Sequence, residues 1–185
     1  MSGGGAGLST QCRAASRGSL PGGAAEVSLD GAPRIGRTLS ARVRPRRSAV
    51  SPFCTALTDI SPEDARRGRP LPEVLSSLRS GLGGSGKTWA AWGRDDETLA
   101  RGCAAAGCGM PRMGGFLDLG ALWGMLSGAE RPIGLRRALE GLGMDFEGMP
   151  HRAPDDAVNA ARVAMAVSGV LRASLRTGDA PVPGP

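Results

Sequence analysis

Tyrosine is absent, and three Phe and three Trp in 185 residues are too few aromatics for a broad platform on which bases could stack. No apolar run approaches the ~18 residues a membrane span requires. The opening residues have neither the basic start nor the apolar stretch of an export signal. A soluble, cytoplasmic protein with no membrane partner is the expectation. The four cysteines, Cys12, Cys54, Cys103 and Cys108, include no C-x-x-C pair, and His151 is the single imidazole. This argues against a structural zinc site and for reduced thiols. All but one of the 23 basic residues are arginine, the exception being Lys87, and the formal charge is +6. That balance suits a polyanionic partner. A coding sequence rich in G and C produces the same bias, so charge alone decides nothing.

What is present reads as one mixed α/β domain. Residues 1–23 are glycine-rich and carry no carboxylate, and are read as a poorly ordered segment. The domain is expected over 24–176, with a flexible tail over 177–185. Residues 25–31 alternate and end in Asp30-Gly31, and residues 35–43 alternate again, which reads as a hairpin. Arg34, Arg37, Arg42, Arg44, Arg46 and Arg47 lie on or just after it. Ser61-Pro62-Glu63-Asp64 is a helix start. Helical spacing predicts a second helix over 72–82. Thr88 to Trp92 reads as a short buried strand, 95–106 as a helix, 116–119 as a weaker strand and 135–139 as a short amphipathic helix. The longest helix is expected from Asp155 to about Leu175. Strands first, then helices alternating with short buried strands, describe this class.

Residues 81–88, Gly-Leu-Gly-Gly-Ser-Gly-Lys-Thr, satisfy the G-x-x-x-x-G-K-[ST] phosphate-loop pattern. That loop works only between a preceding strand and a following helix, whose amides and dipole converge on phosphate. Here a helical stretch precedes and a strand follows. The segment is therefore read as a helix-to-strand turn, and an NTPase remains the least favoured function.

His151-Arg152-Ala153-Pro154-Asp155-Asp156 sets the histidine just ahead of the longest helix, with two carboxylates in its first turn. Such a His suits a general base, and Asp residues from separate elements suit divalent metal ions in phosphodiester hydrolysis. Acids in a first turn also simply complement the helix dipole, and spacing alone favours that plainer account.

Residues 151–163 resemble the H-R-G-x-D-D-A-x-N-x-A motif that closes DEDDh-type 3′–5′ exonucleases, nearest the branch of histone-mRNA exonucleases and sporulation-inhibitor-like proteins. Other stretches agree in order. Residues 51–60 are similar to F-C-x-E-L-T-G-I, with Ala56 and Asp59 in place of Glu and Gly. Residues 70–75, 89–96, 134–139 and 142–143 also follow that branch, so the similarity spans roughly 24–175.

The resemblance implies an RNase H-like fold, a mixed five-stranded sheet flanked by helices. It also implies removal of nucleotides from the 3′ end of single-stranded RNA or DNA with two Mg²⁺ or Mn²⁺ ions. It makes His151 the general base and Asp156 the last metal carboxylate, with Asp155 as its helix-capping neighbour. Asp95 becomes the second-motif metal carboxylate. Asp96 and Asp155 are the alternates.

The family's first motif, D-x-E on the central strand, has no counterpart, since no acid precedes Glu26. Aligning Cys12 with the family's T-C-W stretch sets Gly7 and Ser9 at the Asp and Glu positions. Glu26 and Asp30 fall in the next strand and its turn and are not replacements. The central strand is therefore expected to be degraded or absent: either the chain is a decayed relative or its start is displaced from that of an intact gene, and the loss of pattern before Ala24 favours the second. The leading function is an exonuclease whose activity is in question. The alternative is a catalytically inactive nucleic-acid-binding relative.

Overall fold

A computed structural model describes residues 4–8, 21–45, 50–82, 86–112 and 114–177. β1 (Gly4–Leu8), β2 (Pro21–Ser28) and β3 (Arg34–Arg42) are followed by α1 (Pro52–Thr58), α2 (Pro62–Arg66) and α3 (Leu71–Gly81). Then come β4 (Thr88–Ala91), α4 (Asp95–Ala106), β5 (Gly115–Asp118), α5 (Leu119–Ser127), α6 (Leu135–Gly141) and α7 (Ala153–Thr177). The strands form one mixed sheet in the order β3-β2-β1-β4-β5. β1 runs antiparallel to β2 and parallel to β4, and β5 continues parallel to β4.

Of the two expectations for the central strand, degraded or absent, the second needs correction. Gly4–Leu8 occupies the middle of the sheet, with Gly7 registered against Ala25 on one side and Ala90 on the other. Glycine weakens a strand because it loses much backbone freedom and packs no side chain, but ladders on both edges hold this one. Residues 4–8 and 21–23 thus belong to the sheet, although the segment 1–23 reads as a tail. The rest of that segment, and residues 178–185 of the C-terminal tail, lie outside the described residues.

Local chemistry accounts for the elements that follow. β2 and β3 pair as the hairpin, with a bulge between Ala25 and Val27. Ser61 caps α2, its hydroxyl accepting from Asp64 N at 3.0 Å while the Asp64 carboxylate accepts from Ser61 N at 3.3 Å, a reciprocal capping box. α7 starts two residues earlier and ends two later than the spacing suggests.

The period-2 alternation of the strands feeds two cores. Ala24 and Trp89 face α3 and α4, among Val74, Leu75, Leu78, Leu99 and Cys103. On the opposite face Ala25 and Val27 meet Ala157 and Ala161 of α7. Leu119, Leu135 and Leu139 join Ala160, Val163 and Val167 beyond them. α7 therefore lies across the β1–β3 half of the sheet on an alanine-rich face, and small residues let it come close.

Candidate active site

The loop into α7 is held by its own carboxylates. His151 has φ +68, the left-handed region, and is one of two non-glycine residues there among those described. Its backbone N–H donates to Asp156 Oδ1 at 3.3 Å, and Met149 N–H donates to Asp155 Oδ2 at 2.9 Å. The Asp156 N–H in turn closes the first helical bond onto the Arg152 carbonyl at 2.9 Å. Asp156 is buried, while His151 is half-buried with Nδ1 shielded from solvent and without a hydrogen-bond partner. A buried, unpaired ring nitrogen is costly and is the kind of group a substrate or water satisfies.

A second layer holds the loop from below, and sequence reasoning assigns it no role. Asn159 is fully buried and uses both ends of its amide. Oδ1 accepts from Glu147 N at 3.0 Å and from Arg162 Nη1 at 2.9 Å, while Nδ2 donates to the Glu147 and Asp155 carbonyls, each at 2.8 Å. Arg162 also reaches the Asp145 carbonyl at 2.7 Å and the Glu147 carboxylate at 3.2 Å. Asp155, Asn159 and Arg162 recur at i, i+4 and i+7, one face of a helix. Three polar residues on one stripe of an alanine- and valine-rich helix are the signal that could have found this layer.

The second-motif acids part company. Asp95 opens α4 and borders a cleft of about 740 Å³ beyond the ends of β4 and β5, which Trp92, Arg101, Asp118, Arg131 and Ile133 also line. Asp118 builds this edge, its Oδ1 accepting from Gly93 N and from Ala121 N at the start of α5, both at 3.0 Å. Asp96 is instead clasped by Arg94 through two bonds of 3.1 and 3.2 Å. The Arg94 hydrogen bonds are the main reason its carboxyl sits below the usual range. Of the two, Asp95 faces the cleft. His151 and Asp156 adjoin each other but do not line that cleft.

Among the described residues, no three His, Cys, Asp or Glu side chains converge to hold a metal ion. β1, the strand between β2 and β4, reads Gly-Gly-Ala-Gly-Leu and offers no side-chain oxygen. Glu26 is engaged elsewhere. It pairs with Lys87 and Arg37, and the Lys87 hydrogen bond, ahead of an opposing burial effect, holds its carboxyl below the usual range. Two hard divalent ions need several carboxylate oxygens between them. The residues present do not fit a two-ion centre.

The phosphate-loop pattern is likewise committed to structure. α3 precedes it and β4 follows. Lys87 spends its ammonium on Glu26 and on the Leu82 carbonyl at 2.6 Å. Residues 83–85 of the pattern lie outside the described residues.

The RNase T exonuclease family model matches residues 24–164. No curated protein matches the chain. Among solved structures, the nuclease domain of 3′hExo, a DEDDh family member bound to rAMP, aligns at TM-score 0.74 and 22% identity. That alignment covers 91% of this chain and 93% of that one. A 3′-exonuclease described in 3′-end-specific recognition of a histone mRNA stem-loop aligns at TM-score 0.77 and 21% identity, covering 91% and 83%. Zinc-bound Escherichia coli ExoI in complex with single-stranded DNA aligns at TM-score 0.69 and 12% identity, covering 93% of this chain but 42% of that one. At these identities the structures speak for the RNase H-like exonuclease fold, and the family model for kinship. The chain belongs to the exonuclease family of the RNase T type.

Proposed function

We propose that this chain binds the 3′ end of single-stranded RNA or DNA and hydrolyses it poorly, as a relative that keeps the closing half of the family's site and lacks the opening half. The observation that carries this reading is the contrast between α7 and β1. At the start of α7 a strained His151 and a buried Asp156 are locked together through the His151 N–H. The facing strand is built from residues with no oxygen donor.

In this reading His151 is the base that would take a proton from water, and Asp156 and Asp95 are the remaining metal carboxylates. Mg²⁺ often binds through one or two carboxylates plus substrate phosphates. A nucleic-acid end can therefore contribute to its own capture. The net positive charge and exposed arginines such as Arg34 and Arg131 add sequence-independent attraction. In-line displacement needs both its attacking and leaving oxygens stabilised, and the donor set does not extend to that.

The test incubates the purified chain with 5′-labelled single-stranded RNA and DNA in Mg²⁺ or Mn²⁺. Retention without shortening, weakened by Asp156→Asn, is the expected result. Efficient laddering abolished by His151→Ala would establish the hydrolytic reading instead, and absence of retention would remove both. ATP binding lost in Lys87→Ala would revive the phosphate loop.

A further inference from the structure

α4 ends in a turn whose geometry brings two thiols together. Gly107 adopts φ +66, its N–H donating to the Ala104 carbonyl at 3.2 Å, and the Cys108 N–H reaches back to the Cys103 carbonyl at 3.0 Å. This pair of bonds is the Schellman arrangement. It sets the side chain three places before the helix end against the one two places after it. Those positions ordinarily hold an apolar contact. Here both are cysteine.

Cys103 is buried in the core between α3 and α4, and half-buried Cys108 packs against the same cluster. Burial first, then the charge of the neighbouring Cys108 and last its hydrogen bond, push the Cys103 thiol up to about 11. A backbone closed by the 3.0 Å bond between these two residues keeps their Cα atoms near the ~4.4–6.8 Å separation a disulfide requires.

We propose that Cys103 and Cys108 are a modification site, a dithiol that closes to a reversible disulfide when a low-molecular-weight disulfide such as oxidised glutathione is present. Cys108, the more accessible thiol, attacks the glutathione disulfide as thiolate, forming a mixed disulfide and releasing one glutathione thiolate. Cys103 gives its proton to solvent, and its sulfur attacks the Cys108 sulfur, expelling the second glutathione. Two protein thiols are oxidised and one glutathione disulfide is reduced to two thiols, which take up the two protons. The closed ring staples the last turn of α4 to the segment leading into β5. This site stands apart from the nucleic-acid reading and depends on none of its residues.

The experiment equilibrates the intact chain with defined ratios of oxidised to reduced glutathione, blocks free thiols under denaturing conditions, and maps tryptic peptides by mass spectrometry. Cys103 and Cys108 fall in one peptide, residues 102–112. The expected result is that peptide lighter by two hydrogens and closed to alkylation, restored by dithiothreitol, with Cys54 still alkylated. Cys103→Ala is expected to stop at the mixed disulfide on Cys108, and Cys108→Ser to leave Cys103 reduced. Alkylation of both thiols in the wild-type chain, accumulation of its mixed disulfide, or a cross-link to Cys12 or Cys54 would each overturn the assignment.

Discussion

His151 destabilises the fold in two separable ways, and two substitutions tell them apart. Its φ of +68 costs a non-glycine residue on the order of 1–2 kcal/mol. Its shielded Nδ1 has no partner, adding about 1–3 kcal/mol of uncompensated desolvation. His151→Ala removes the nitrogen but keeps the backbone strain. His151→Gly removes both, offset by the ~0.5–1 kcal/mol of extra freedom that glycine has in the unfolded chain. The glycine variant should therefore be the more stable of the two by about 1 kcal/mol, or roughly 2–4 °C in Tm for a chain of this size. Both should lose whatever 3′-end hydrolysis the wild-type chain shows. Urea titrations at matched m-values, run beside the labelled-oligonucleotide assay, provide the check. If alanine proves equal to or more stable than glycine, the left-handed conformation is not intrinsic to the loop, and strain retained for chemistry is the wrong explanation.

Four further outcomes follow from the same geometry. Asn159→Ala strands the Glu147 backbone amide and carbonyl, and should cost about 3 kcal/mol and ~6–12 °C in Tm; a loss below ~1 kcal/mol would mean water replaces the amide. The Glu26 carboxyl is depressed in the fold, so its contribution is complete above pH 4.5 and disappears as pH falls through the lower, folded value. The Tm gap between wild type and Glu26→Gln should accordingly close on acidification, whereas a gap that persists in acid contradicts the Lys87 pairing. Gly7→Asp combined with Ser9→Glu supplies the missing oxygens and should raise Mg²⁺-dependent shortening of a 3′ end by ~100-fold, with no gain if the strand register is otherwise. Gly23→Ala should cost at least ~2 kcal/mol and weaken 3′-end retention; an unchanged Tm would show that α7 does not press on β2.

Most elements were legible because short-range chemistry decides them. The capping serine and proline of α2, the acids that open α4 and the alanine-valine face of α7 all describe helices wherever they occur. α1 carries the same Ser-Pro start as α2, and Ser51 Oγ accepts from Cys54 N at 3.2 Å, yet seven residues give too little periodicity to stand out. α5 was obscured by Gly120 and Gly124, although Asp118 caps it. β1 was illegible for a different reason. Its residues have little intrinsic strand preference, and they are held by neighbours distant in the sequence. At the site, the adjacency of His151 and Asp156 follows from five-residue spacing across a helix start. The Asn159 and Arg162 support does not, because its partners at Asp145 and Glu147 belong to an irregular loop.

The height of that site above the sheet is set by the absence of one side chain. A Cβ on Gly23 would lie 2.1 Å from both the carbonyl carbon and the carbonyl oxygen of Ala153, so the first turn of α7 rests directly on the β2 backbone. Two residues along β2, Ala25 is packed with Ala157 and Ala161, and Ala25 is also the register partner of Gly7. Position 7 of β1 is therefore one strand away from the turn that carries Asp156. In the proposed reading a carboxylate there would add to the donors that α7 presents, while glycine there leaves the contact between helix and sheet undisturbed. Fold and chemistry are consequently separable in this chain. The residues that seat α7 are apolar side chains of β2, α5 and α6, whereas in the proposed reading the missing oxygen donors belong to β1, and loss of the second need not entail loss of the first.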